Sequence, residues 1–175
     1  MKSQRDKMSN SYVDVIEQAI GLLDDISLDD YQEILTPHFS SSIGTHVRHI
    51  VDHFLALKPA RTFGEINYNK RNRHGDVEQF PKSAMAECES IKAWLDENCS
   101  SDLLNQRVQV ITDIDINHTN STSCESTLER ELVFVASHAI HHYALIRIIR
   151  NMQGKALPEF FGIAPATVRY KTRSA

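Results

Sequence analysis

Cysteine is scarce in this chain: three residues in 175, Cys88, Cys99 and Cys124. The number is odd and the spacings match no cysteine metal motif. They read as free thiols of a reducing, cytoplasmic setting, not as a disulfide framework. Cys124 falls in an expected loop. A signal-peptide pattern is also lacking, because the opening MKSQRDKMSN is polar and has no apolar core. No run approaches the ~20 consecutive apolar residues of a membrane span, so no membrane partner is expected. Positive charge is not in excess either. The net charge is −4 and the pI about 6.1, which gives no reason to expect nucleic acid or an anionic surface as partner. The basic residues near the C-terminus, Arg169, Lys171 and Arg173, read as a solvated tail. Internal repeats and low-complexity tracts are missing.

What is present fits one soluble globular domain over residues 1–175. Hydrophobic residues make up 41% and charged residues 24%, ordinary values for a chain long enough to bury a sizeable core. Four segments carry helical signals. In the first, about 11–26, Val13, Ile16, Ala19, Ile20 and Leu23 recur at helical spacing. The second follows the serine cluster 40–42, a good N-cap region, and runs to about Leu57. The third, about 83–99, has Met85, Cys88, Ile91, Trp94 and Leu95 as its stripe. The fourth begins at Ser126-Thr-Leu-Glu129, which resembles a capping box, and stops at Gly154. At about 27 residues it would be ~40 Å long. An all-α four-helix bundle is the expected architecture. Residues 107–114 (RVQVITDI) alternate and predict a short strand or extended element, followed by a polar run over 115–124. The 60–81 connection is long and polar, as functional loops often are. The aromatic tail 158–170 is expected to pack back on the body.

The fourth helix carries SHAIHHYALI over 137–146. His138 and His142 are spaced i, i+4, so they lie one above the other on one face. Two imidazoles so placed can share one metal ion. On a 100° wheel Glu131, Val135, His138, His142, Leu145 and Ile149 form one narrow stripe, expected to face the interior, with His141 to one side. The alternative is a pair of core histidines hydrogen-bonded to other helices. A shared metal would satisfy both rings at once and avoid the cost of unpaired buried polar groups. A third ligand should come from a facing helix, and the second helix offers His46, His49 and His53. On the wheel His46 and His53 flank the apolar face of Ile43, Val47, Ile50, Phe54 and Leu57. His49 lies further toward the polar side. Periodicity points to His46 or His53 and leaves the choice open.

Ser42-Ile-Gly-Thr-His-Val-Arg-His49-Ile resembles the second helix of the DinB/YfiT-like family, whose pattern there is roughly Ser-(apolar)-Gly-x-x-(apolar)-x-His-(apolar). His138-Ala-Ile-His141-His142 resembles that family's HxxHH block on the last bundle helix. The resemblance covers most of residues 10–155, including helix order and the long connection between the second and third helices. It implies a metal-binding four-helix bundle whose ligands are His49, His138 and His142. The chain departs from common members after the block: many continue His-His-Arg-Gly-Gln, whereas Tyr143-Ala144-Leu145 follows here. Relatives of the ergothioneine pathway carry HxxxHxE, and Ala144 occupies that last position. His46, His53 and the tail after Gly154 also lie outside the general pattern.

Three neutral histidines with an open position are typical of catalytic rather than structural metal centres. The resemblance implies a divalent ion, Zn²⁺ or Ni²⁺, a small-molecule substrate, and either hydrolysis or thiol S-transfer with a low-molecular-weight thiol as a candidate cofactor. A non-catalytic metal-binding or stress-response protein of the same fold is the alternative. Glu131, two turns before His138, is a candidate base or orienter of a ligand. His141, His46 and His53 are candidates to support the ligands or carry protons. Tyr68, Arg71 and Arg73 of the long connection could receive an anionic group. A homodimer is expected, because the third helix and the tail residues Phe160, Phe161, Ile163, Val168 and Tyr170 offer more apolar surface than four helices cover, and because relatives often dimerise.

Overall fold

The computed structural model describes residues 4–70, 75–98, 102–118 and 120–173. Four long helices dominate: α1 (Gln4–Asp24), α3 (Ile43–Leu55), α6 (Pro81–Asn98) and α7 (Leu128–Met152). Short helices fill the connections: α2 (Leu28–Gln32), α4 (Ala60–Phe63) and α5 (Asp76–Gln79). A 3₁₀ turn spans Asp102–Asn105, and α8 (Pro165–Arg173) lies in the tail. α1 packs on α6 and α7, and α3 packs on α6 and α7. Three strands complete the fold. β2 (Arg107–Asp113) runs parallel to β1 (Glu65–Asn67) and antiparallel to β3 (Ser121–Thr127).

The helices follow their apolar spacing. α1 buries Tyr12, Val15, Ile16, Ala19, Leu22 and Leu23, and α6 buries Ala84, Cys88, Ile91 and Leu95. α1 starts well before the expected residue 11, carried through the polar opening segment. The Ser42 side chain accepts from the Thr45 amide at 3.2 Å, so the serine cluster does cap α3. α7 is capped one residue later than the expected box. Thr127 Oγ1 accepts from the Arg130 amide at 3.3 Å, while Ser126 turns its hydroxyl to Glu131. Taken alone, α7 is long and apolar enough to cross a membrane, with a mean hydropathy of 1.4 over 18 residues. In the fold, Leu128, Leu132, Val135, Ala139, Tyr143, Ile146 and Ile149 are core.

The 107–114 expectation corresponds to β2, whose Val108 and Val110 point inward. The polar run after it is not all loop. Ser121–Thr127 forms an edge strand with little apolar content, held by its ladder to β2, where Val110 stands opposite Cys124. Cys124 is therefore an exposed thiol on a strand, Cys88 is a buried one, and Cys99 lies outside the described residues. The 60–81 connection also carries structure, in α4, β1 and α5. In the tail only part of the expectation holds. Phe161 is buried against Tyr143, at 5.2 Å between ring centroids, whereas Phe160 is exposed and α8 buries none of its residues.

α5 sits directly on the start of α3. The Tyr31 hydroxyl donates to the Val77 carbonyl at 2.6 Å, and Glu78 accepts from Thr45 and pairs with Arg48. Gly44 permits this approach, because a Cβ there would land on the Glu78 carbonyl oxygen and 2.8 Å from the Tyr31 ring. Gly21, in α1, has open space around it. Gly44→Ala should therefore lower stability by ~1–3 kcal/mol through overpacking. Gly21→Ala should leave it unchanged or raise it by ~0.5–1 kcal/mol. Urea midpoints of the two variants check this, and equal effects would count against the packing described.

Candidate metal centre

α3 and α7 face each other, and their histidines meet at that contact. Nε2 of His138 lies 2.9 Å from Nε2 of His49 and 3.2 Å from Nε2 of His142. Nδ1 of His142 lies 3.0 Å from Nδ1 of His46, whose Nε2 is 3.5 Å from the Ser41 hydroxyl. His53 is part of the same cluster: its ring centroid is 4.4 Å from those of both His49 and His138. Its Nδ1 donates to the His49 carbonyl at 2.8 Å.

Two overlapping triads can be drawn from these rings. Ring nitrogens of His49, His53 and His138 all lie within 4.8 Å of one another, close enough to hold a metal ion. His49, His138 and His142 are joined by the two shorter Nε2 contacts. The second set has two short contacts, both made by His138 Nε2, and the two sets share His49 and His138. The donors suit a divalent ion. Imidazole nitrogens bound at 2.0–2.1 Å in a tetrahedral shell stand roughly 3.3 Å apart, close to the separations here. Hydrogen bonding alone serves the cluster poorly. His138 Nε2 has one hydrogen or one lone pair, yet it faces two other Nε2 atoms. It can make at most one linear hydrogen bond with them, whereas an ion takes all three lone pairs.

The surroundings keep two of the rings neutral. Burial, and then the neighbouring His138, His46, His141 and His53, push the His142 pKa down to about 3. Burial, and then His141, lower that of His46. Neutral imidazole is the form that ligates metal.

The interior stripe is offset from the expected one. The deepest face of α7 runs through Leu132, Val135, Ala139, Tyr143 and Ile146. His138 and His142 each precede a member of that face and are half-buried. Apolar packing takes the centre of the contact, and the imidazoles take its accessible edge. On α3 the wheel was informative: His46 and His53, flanking the apolar face, are 8% and 6% exposed. His49, further round, is half-buried and still reaches His138.

The other candidates fall around this cluster. Glu131 is 2% exposed and accepts three hydrogen bonds, from Tyr68 at 2.8 Å, Ser126 at 2.6 Å and Arg130 at 3.0 Å. Tyr68 is buried, its amide extends the β1–β2 ladder to the Ile111 carbonyl, and its ring stacks on His53 at 5.3 Å and 23°. Burial and then Glu131 push the Tyr68 phenol pKa far up. Phe134 stacks on His138 at 5.7 Å. His141 is exposed, its ring 5.4 Å from that of His142. Arg71 and Arg73 lie outside the described residues. A cavity of about 390 Å³ is lined by Asp52, Leu55, Ala56, Pro59, Glu65, Asn67 and Lys70, and by no cluster histidine.

Comparison with known proteins gives one curated relative. The chain is 31% identical over 156 residues to a Rhizopus delemar protein named FK506-binding protein 5. The match covers 89% of this chain but spans only 37% of that protein. No solved structure gives a significant match. Residues 11–146, which include most of α1, all of α3 and α6, and all five clustered histidines, match the DinB superfamily, and the chain belongs to that superfamily.

Proposed function

We propose that this chain is a metal-dependent enzyme of DinB type, a thiol S-transferase or a hydrolase, acting on a small-molecule substrate. Its four long helices would form the four-helix bundle of one domain. His49, His138 and His142 would hold one divalent ion, Zn²⁺ or Ni²⁺, through Nε2. The contacts of His138 Nε2 with the Nε2 atoms of His49 and His142, at 2.9 and 3.2 Å, support this most directly. A divalent ion with an open position supplies Lewis acidity and brings the pKa of a bound water or thiol toward neutrality.

The remaining roles belong to side chains. With Nε2 as its ligand atom, His142 keeps its hydrogen on Nδ1 and donates to His46, which fixes the ring's tautomer and orientation. His141, exposed beside His142, suits proton exchange with solvent. Glu131, committed to three donors, orients Tyr68. Tyr68 would form part of the wall that receives the substrate or a low-molecular-weight thiol.

Untagged protein purified without chelator should contain about one metal per chain, and His142→Ala should lose stoichiometric metal. If His142→Ala keeps full metal while His46→Ala loses it, the ligand assignment is wrong. The holoprotein is to be screened with thiols plus electrophiles and with amides and esters, beside a chelated control. Activity that survives chelation would refute a metal-dependent reaction.

The depressed histidines also set a pH dependence. The unfolded chain takes up protons near the ordinary histidine value of 6.5, while folded His142 resists them down to about 3 and His46 is shifted the same way. The unfolded state binds more protons in that window, so stability of the chelated protein should fall as pH drops below ~6.5. Thermal melts between pH 7 and 5 should show the fall, with a shallower slope in His142→Gln. An unchanged slope would remove His142 as its source.

A homodimer is part of the proposal, since Phe160 and Tyr170 of the tail are exposed. Light scattering should then give about twice the chain mass of 19.9 kDa. A monomer mass at micromolar concentration would refute it.

A further inference from the structure

We propose that His53 is a fourth ligand, so that α3 and α7 each contribute an i, i+4 pair to one four-histidine centre. The pairs are His49 with His53 and His138 with His142. This rests on the metal-site reading above and adds a residue that the three-histidine pattern does not include; the open position of that reading would then be the fifth of a five-coordinate ion.

Three observations converge on His53. It stands one helical turn after His49 and on the same face. One ring nitrogen each of His49, His53 and His138 lie within 4.8 Å of one another. The hydrogen bond to the His49 carbonyl then decides the tautomer. A carbonyl only accepts, so the hydrogen sits on Nδ1 of His53, and the neutral ring carries its lone pair on Nε2. A ligand histidine is usually prepared in this way, with one nitrogen tied to a carbonyl or carboxylate and the other left to bind.

The ring is also braced. Tyr68 stacks on one side of it. The Tyr68 hydroxyl is tied to Glu131, and Glu131 in turn to Ser126 at the β3–α7 junction. Strand β1 brings Tyr68 to this position, and β1 exists only by pairing with β2. His53 is thus held by its own helix on one side and by the sheet on the other. Burying a basic ring among other imidazoles is costly, and a shared cation offsets that cost. Four neutral nitrogen donors favour Zn²⁺, Ni²⁺ or Cu²⁺ over Mg²⁺, Ca²⁺ or Mn²⁺, which prefer oxygen.

The test uses the full chain stripped with chelator and reloaded with Co²⁺ or Zn²⁺ alone. Each imidazole bound to Co²⁺ through Nε2 shows one strongly shifted, solvent-exchangeable Nδ1–H proton signal. The wild type should show four such signals and His53→Gln three. Both His53→Gln and His53→Ala should still bind one Zn²⁺, but roughly tenfold or more weakly in competition titrations, since loss of even a supporting group costs ~10–100-fold. Three signals in the wild type, or Zn²⁺ affinity unchanged in both variants, would overturn the proposal and leave a three-histidine centre intact. Should the variants fail to fold, the wild-type count alone decides, four signals supporting the four-histidine centre and three overturning it. A wild type that takes up no stoichiometric metal refutes the underlying site as well, so the two failures are distinguishable.

Discussion

The contact between α3 and α7 is the constraint on which the site depends. Val47, Ile50, Phe54, Leu132, Val135, Ala139 and Tyr143 are buried to within 1% of full burial, and they set how the two helices meet. The histidines lie beside this apolar contact and inherit its rigidity. Their nitrogens are held at 2.9–3.2 Å by packing that is almost wholly apolar. Imidazoles held so close cannot all be protonated, and burial already drives His142 and His46 to the neutral form. A set of converging lone pairs is the consequence. Rearranging the rings away from one another would require moving the helices, at a cost shared by the whole core.

The sheet explains itself through the same contact. A helical fold of this size has no general need of three short strands, but β1 and β2 carry Tyr68 to the far side of His53, and β3 runs without a break into α7. Ser126 from β3 and Tyr68 from just after β1 converge on Glu131, and Arg130 joins them from α7. A carboxylate 2% exposed is expensive to bury, and three donors to its two oxygens offset that expense. The polar triad thus locks sheet to helix at the end of α7 nearest His138.

Much of this was legible in the sequence where periodicity and capping chemistry are strong. Ser42 caps α3 as its position implies, Gly154 adopts the positive φ of 72° that ends α7, and β2 alternates as its residues do. β3 was not legible, because Ser121–Thr127 has almost no apolar content and owes its form to the β2 ladder, a non-local partner. The N-cap of α7 fell on Thr127 instead of Ser126 because Ser126 is drawn to Glu131. The histidine stripe was legible as a stripe but misjudged in depth. The wheel weighted imidazole with the interior, while the apolar face one position further on took the centre. On α3, wheel and family motif disagreed because each captured part of one cluster. The wheel found the two buried rings, His46 and His53, and the motif found the half-buried one, His49.

That division bears on what the centre can do. A cluster in the deep stripe would be closed to any substrate, and one on the open face would be solvated and loose. The edge gives half-buried His49, His138 and His142 on the accessible side, with His46 and His53 buried behind them. The buried pair supports the outer rings: His46 contacts the far nitrogen of His142, and His53 ties its Nδ1 to the backbone beside His49. Glu131 has its oxygens committed to three donors, which makes it a poor proton acceptor at this centre. The imidazole of His141, exposed beside His142, would be the better placed group. Proton exchange at the open edge and rigidity behind it follow from one arrangement, in which apolar packing fixes the helices and histidine occupies only the margin of their contact.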